Sequence, residues 1–151
     1  MTDYREAVPG DLADLIRMAA DGTARAYPGL PFDEAVAHET ISEAIAGDDA
    51  LVLIAYEDST PVGFVIGQIV LSWFGDGRVA KDWITYADQA AHPWVFYNLH
   101  KQFVAWAKSR GADNIITSNF SGLSDTAMRR VLQRLGYTPV GTTARQSITD
   151  Q

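Results

Sequence analysis

Apolar positions along the chain change period repeatedly, and each change marks a new element. Residues 3–8, "DYREAV", predict a short strand. Beyond "PGD", Leu12, Leu15, Ile16, Ala19 and Ala20 recur at helical spacing, with Asp11 placed as an N-cap. "DGTARAYPGLP" (21–31) reads as a loop from its Gly and Pro content. A second helix is expected from about Asp33 to Ala46, with Ala37, Ile41, Ala44 and Ile45 inward and Gly47 as its stop.

The period then shortens. "ALVLIAYE" is a strand, "DSTP" a turn, and "VGFVIGQIVLSWF" a nearly continuous apolar strand that fits burial on both faces. "GDG" (75–77) predicts a hairpin turn, and "RVAKDWITYAD" the returning strand. From Pro93 to Arg110 the pattern is helical again: Phe96, Leu99, His100, Phe103 and Ala107 share a stripe, and Gly111 signals the end. "DNIITSN" is a strand. Ser124 or Asp125 caps a last helix closed by Gly136, and "YTPVGTTARQSI" predicts a final strand.

The resulting order, β-α-α-β-β-β-α-β-α-β, predicts an α/β (α+β) fold. About six strands would form a mixed central sheet, with about four helices on both faces. The unit at 79–118 should be a right-handed crossover joining parallel strands. With no repeat, low-complexity segment or linker, one domain over 1–151 is expected.

Composition narrows the function. The chain holds no cysteine, which removes disulfides, thiolate metal sites and a cysteine nucleophile. Three histidines, His38, His92 and His100, show no metal-ligand spacing, so no metal is expected. The start lacks a signal-peptide pattern and the longest apolar run is too short and too polar to span a bilayer, so a cytoplasmic protein without membrane contact is expected. Net charge is −7. Residues 1–76 carry 3 basic and 14 acidic side chains, net −11, and residues 77–151 carry 9 and 5, net +4. That balance argues against nucleic-acid binding, which depends on neutralising phosphates. It leaves a locally basic half able to meet a small polyanion.

Several segments, in this order, resemble the GNAT superfamily of acyl-CoA-dependent N-acyltransferases. "YREAVPGDLADLIRMA" looks like its opening strand and helix. "LVLIAYEDSTPVGFVIG" looks like its second and third strands, "FVAWAKSRGADNI" like the end of its central helix and next strand, and "VLQRLGYTPVG" like its closing helix and strand. The resemblance spans nearly the whole chain. It implies acetyl-CoA as co-substrate, a small-molecule or protein amine as acceptor, and direct attack of the amine on the thioester.

The departures fall on the chemistry. The family's fourth strand leads into an Arg/Gln-x-x-Gly-x-Gly/Ala turn that binds the CoA pyrophosphate at a helix N-terminus. Here that turn falls on Ala91–Phe96, "AHPWVF". Ala91 replaces the Arg/Gln, Trp94 and Phe96 replace small residues, and Pro93 removes an N–H. On the resemblance, Ala91, His92, Trp94, Val95 and Phe96 would form the pyrophosphate cradle, and backbone at Thr85 and Ala87 would hold the thioester. Rings filling the slot and a distorted route for CoA are both open readings of this turn. A second departure is Leu132, which stands where many members carry a tyrosine acid; Tyr137 reads as core.

For a base, the resemblance points to the fourth strand. Asp82 is the first candidate, as base or water-holder, with Tyr86 as the second catalytic candidate; Asp88 is an alternative carboxylate. Strict alternation would put Asp82, Ile84, Tyr86 and Asp88 on one face. His100 on the apolar stripe reads as a core histidine. Trp73 and Phe74, beside the hairpin tip, read as a contact surface. Two functions follow. One is a divergent N-acyltransferase. The other is a GNAT-fold protein that has lost catalysis and serves as a binding or structural subunit, similar to short phage GNAT-like proteins. A homo-oligomer or a protein partner suits either.

Overall fold

The computed structural model describes residues 1–118, 124–141, 144–146 and 148. Its elements run β1 (Thr2–Glu6), α1 (Leu12–Ala26), α2 (Glu34–Ala46), β2 (Ala50–Glu57), β3 (Thr60–Leu71), β4 (Arg78–Ala87), α3 (Trp94–Ser109), β5 (Asn114–Ile116) and α4 (Asp125–Arg134). The sheet is mixed and ordered β1-β2-β3-β4-β5. The first four strands pair antiparallel, and β4 pairs with β5 in parallel.

The sheet has a core on each face. Leu15 and Met18 of α1 and Ile41 and Ala44 of α2 pack on Val52, Ile54, Phe64, Ile66 and Tyr86. Val95, Leu99, Phe103 and Ala107 of α3 pack on Leu51, Leu53, Ala55, Val65 and Ala80. Both faces of β2 and β3 are therefore covered, which explains their continuous apolar runs. Gly67 lets α3 come close: a Cβ there would lie 2.2 Å from Phe103 Cε2, and Phe103 is fully buried.

Several boundaries differ from the sequence reading. α1 continues through Asp21–Ala26, where Gly and Pro content predicts a loop. Gly22 is a contact rather than a breaker, since a Cβ on it would lie 2.9 Å from Ile84 Cδ1. Asp11 stands at the start of α1 but makes no cap bond. Its carboxylate instead takes two hydrogen bonds from the Arg5 guanidinium (2.8 and 2.9 Å), one from Val8 N–H (2.8 Å) and one from the Tyr56 hydroxyl (2.7 Å). The Arg5 hydrogen bond is the main cause that holds this carboxyl far below the usual range. Asp33 does cap α2, accepting from the N–H groups of Ala35 and Val36.

β5 is shorter than the "DNIITSN" run, whose Asn119 lies outside the described residues. Among the described residues the sheet has five strands, against the expected six or so. The expected last strand lies partly outside the described residues, and its described residues carry no strand. The reason is local. Ser124 caps α4, and Gly136 (φ +87°) ends it. Gly136 N–H donates to Gln133 O and Tyr137 N–H to Leu132 O. The Tyr137 N–H is thus spent on the helix end, and Pro139 has none to give.

Candidate functional site

β3 and β4 fall out of step beside Gly67. Ile66 pairs with Ile84, but Gly67 pairs with Asp82, so Trp83 is an extra residue. This bulge breaks the alternation that would put Asp82 and Tyr86 on one face. Tyr86 turns toward α1, where its hydroxyl donates to Asp21 Oδ2 at 2.6 Å. Asp82 turns toward α3, with Thr85 and His100 as neighbours. The two catalytic candidates therefore sit on opposite faces of the sheet.

The pairing of β4 with β5 covers only Val79–Lys81 against Asn114–Ile116. Beyond Lys81, β4 runs on to Ala87, and among the described residues no strand pairs with it on that side, which leaves a fork between them. Asp88 N–H donates to Val62 O across to β3, and Tyr86 O lies against Gly63. Alternate residues Thr85 and Ala87 therefore turn their backbone groups away from β3, into the fork. The Ala87 carbonyl already accepts from Arg25 Nη2 (3.1 Å). Among the described residues, the N–H groups of Thr85 and Ala87 face the fork unpaired by strand.

Beneath the fork runs a buried polar chain. Thr85 Oγ1 donates to Asp82 Oδ2 at 3.1 Å and lies 3.1 Å from His100 Nδ1. His100 Nε2 lies 2.9 Å from the Tyr137 hydroxyl. One proton assignment satisfies every bond: Tyr137 donates to Nε2, Nδ1–H donates to Thr85, and Thr85 donates to Asp82. His100 is 0% exposed, between Phe96 and Phe103, and burial holds it down at about 4, so it stays neutral. Asp82 is 7% exposed and pushed up to about 6 by burial, with the Thr117 and Thr85 hydroxyls opposing the rise. Burial, then the Asp82 charge, raises Tyr137. Asp82 Oδ1 and Thr117 Oγ1 are buried without a well-formed hydrogen bond.

The opposite face of the same strand end opens into a cleft of about 570 Å³ lined by Arg17, Asp21, Arg25, Tyr86, Asp88 and Gln89. The Arg25 guanidinium lies 4.7 Å from the Tyr86 ring centre and 3.4 Å from Asp21. Burial, then the hydrogen bond to Asp21, pushes Tyr86 up to about 12. Asp21 and Arg25 escape a sequence reading that ends α1 at Ala20; their i,i+4 spacing was the available signal.

At the start of α3 five backbone donors, those of Ala90, Ala91, His92, Trp94 and Val95, are taken. Ala90 N–H and Ala91 N–H go to the Asp88 side chain and carbonyl (2.9 and 3.0 Å). His92 N–H goes to Glu57 Oε1 (3.0 Å), Trp94 N–H to His92 Nδ1 (3.2 Å) and Val95 N–H to the His92 carbonyl (2.9 Å). A carboxylate of the chain itself thus holds the anion position at this helix end. Trp94 is 48% exposed, edge-on to Tyr97, with the Arg134 guanidinium 5.7 Å from its ring centre. Val95 and Phe96 are core residues. Leu132 is half-buried and offers no proton. Among the described residues no group of three or more His, Asp or Glu side chains is arranged to hold a metal ion, and no helix is long and apolar enough to cross a membrane.

No protein-family model matches the chain, and no curated protein matches it in sequence. Solved structures do match. A predicted acetyltransferase with acetyl-CoA from Clostridium acetobutylicum superposes with a TM-score of 0.78 at 14% identity, covering 100% of this chain and 99% of that one. Glucosamine-6-phosphate N-acetyltransferase from Arabidopsis thaliana gives 0.77 at 12%, covering 98% and 99%. An aminoglycoside 6'-N-acetyltransferase from Acinetobacter haemolyticus gives 0.73 at 18%, covering 99% of each. At such identities the likeness is one of fold.

Proposed function

We propose that this chain, which has the fold of the GNAT acetyltransferases, transfers an acyl group from a pantetheine thioester to a primary amine. Acetyl-CoA is the simplest such donor. The observation that carries the reading is the fork: the pairing of β4 with β5 ends at Lys81, and among the described residues no strand pairs with Thr85 or Ala87 beside the cleft on the α1 face. A thioester lying in the fork presents its carbonyl oxygen to the Thr85 and Ala87 N–H groups. Those donors stabilise the charge that develops on the oxygen during attack.

The amine enters from the α1 side. Its nitrogen attacks the thioester carbon, the C–N bond forms and the C–S bond breaks. The amine's proton passes to the Tyr86 oxygen as the Tyr86 proton passes to Asp21, and solvent protonates the thiolate. Asp88 stands by as a second carboxylate for the substrate ammonium. Asp82, on the other face, holds Thr85 in place and does not meet the amine. Acetyl-CoA with a panel of small-molecule and peptide amines tests this by thiol release, which a cysteine-free chain does not obscure. Tyr86→Phe is expected to lower turnover by about tenfold to a hundredfold while thioester affinity holds; unchanged turnover removes Tyr86 from the relay.

A second reading is a GNAT-fold binding subunit without turnover. The occupied N–H groups at the start of α3 and the leucine at position 132 favour it. Thiol release with none of the amines would select it.

A further inference from the structure

Two observations limit how a thioester reaches the fork. The first is the start of α3, where the Glu57 carboxylate accepts from His92 N–H and the N–H groups of Ala90, Ala91, Trp94 and Val95 are already bonded. A nucleotide diphosphate arriving there meets a carboxylate, and five of the nearby N–H groups are already spent. The second is the face beside that turn. Trp94, Lys101 and Lys108 are spaced by seven on α3, and so lie along one side of it. Arg130 and Arg134 are four apart on α4, and Arg134 rests over Trp94. All five side chains are exposed. α3 contains no acidic residue, and no ion pair among the described residues involves these lysines and arginines. An exposed cationic stripe on a chain of net charge −7 is a local feature.

We propose that this α3–α4 face docks an acidic acyl carrier protein, which delivers the acyl thioester on its phosphopantetheine arm. The inference rests on the acyl-transfer reading and deepens it by naming the carrier of the donor. The fork needs only the extended arm and its thioester, which carrier and CoA share. They differ at the far end. CoA brings a nucleotide whose pyrophosphate would have to pass the Glu57 carboxylate at that turn. A carrier brings a negative protein surface, which the stripe attracts by charge complementarity while Trp94 gives an apolar contact at its edge. A nucleic acid fits the charge but brings no thioester, and the remainder of this acidic chain repels it.

The test uses the full chain with a purified bacterial acyl carrier protein in acetylated and unmodified forms, and acetyl-CoA as the competing donor. Binding is read by calorimetry at two salt concentrations, and transfer by thiol release with the amine panel. The expected result is salt-sensitive carrier binding and a kcat/KM for acetyl-carrier about tenfold or more above that for acetyl-CoA. The double variant Lys101→Glu with Arg130→Glu should lower the carrier value by about tenfold and leave the acetyl-CoA value within roughly twofold. Both positions are exposed, so folding is not at stake, and a melting curve checks it. Equal losses with both donors would assign the face to CoA phosphates and overturn the proposal. Transfer from acetyl-CoA with no carrier binding would overturn it and leave the acyltransferase reading standing. Carrier binding without transfer from either donor would keep the docking face and remove the enzymatic reading.

Discussion

At the residue scale the buried Asp82–Thr85–His100–Tyr137 chain makes the sharpest claims. Asp82 has its pKa raised above the ordinary value of 3.8 to about 6, so its stabilising share is present in acid and is lost as pH rises from about 4 to about 6. His100 runs the other way: lowered from 6.5 to about 4, it costs stability as pH falls through that window. The two slopes oppose each other in the wild type. Asp82→Asn removes one of them. Urea unfolding should show the variant gaining on the wild type by roughly 3 kcal/mol between about pH 4 and about pH 8. A pH-independent difference would contradict the assignment. Glu57 makes a second claim. Glu57→Gln keeps an oxygen for His92 N–H and removes the charge. Titration with acetyl-CoA should show roughly threefold to tenfold tighter binding; equal or weaker binding would mean the carboxylate does not oppose the nucleotide. The residues behind these claims were unevenly legible. Asp82 was a candidate through the resemblance, but its partners were not readable, because Thr85 and His100 meet it only after a bulge that no local pattern announces. Glu57 reads as an ordinary strand end, and only the tertiary approach of the α3 start gives it a role.

At the scale of elements, alternation and helical spacing placed most of the chain well. β2, β3, β4, α2 and α3 fall within a few residues of where the apolar pattern puts them. The failures share a cause: a local signal outweighed by a contact. Gly22 reads as a loop residue and proves to be the close approach of α1 to Ile84 and Tyr86. Tyr137 reads as the start of a strand, but its N–H closes the end of α4. One element contact is testable directly. Gly67→Ala would drive a methyl into Phe103, 2.2 Å from its Cε2, with the Lys81 carbonyl 3.2 Å away. Phe103 is fully buried and has little room to yield. The variant should lose about 2–3 kcal/mol of stability in thermal or denaturant unfolding. A neutral result would mean that α3 sits farther from β3 than described.

At the scale of the whole molecule, the sequence resemblance and the structural likeness agree on architecture, while the departures concentrate where β4, β5 and the start of α3 converge. The fold was legible because it rests on periodicity over long segments. The site was less so, because it depends on where the pairing of β4 with β5 ends and on which face a bulged strand presents. The remaining surface adds Leu71, Trp73 and Phe74, exposed at the hairpin tip, with Trp73 92% exposed and edge-on to Phe74. The exposure of that patch is what the sequence reading expected, and nothing in the structure shows what covers it. The central claim is that the free edge of β4 receives an acyl thioester. The most direct measurement is a titration of ¹⁵N-labelled protein with S-acetylpantetheine, which carries the arm and the thioester without the nucleotide. The account predicts that the amide signals of Thr85 and Ala87 shift downfield as hydrogen bonds form, and that Tyr86 and Asp21 respond beside them. Unmoved Thr85 and Ala87 signals at millimolar ligand would contradict it.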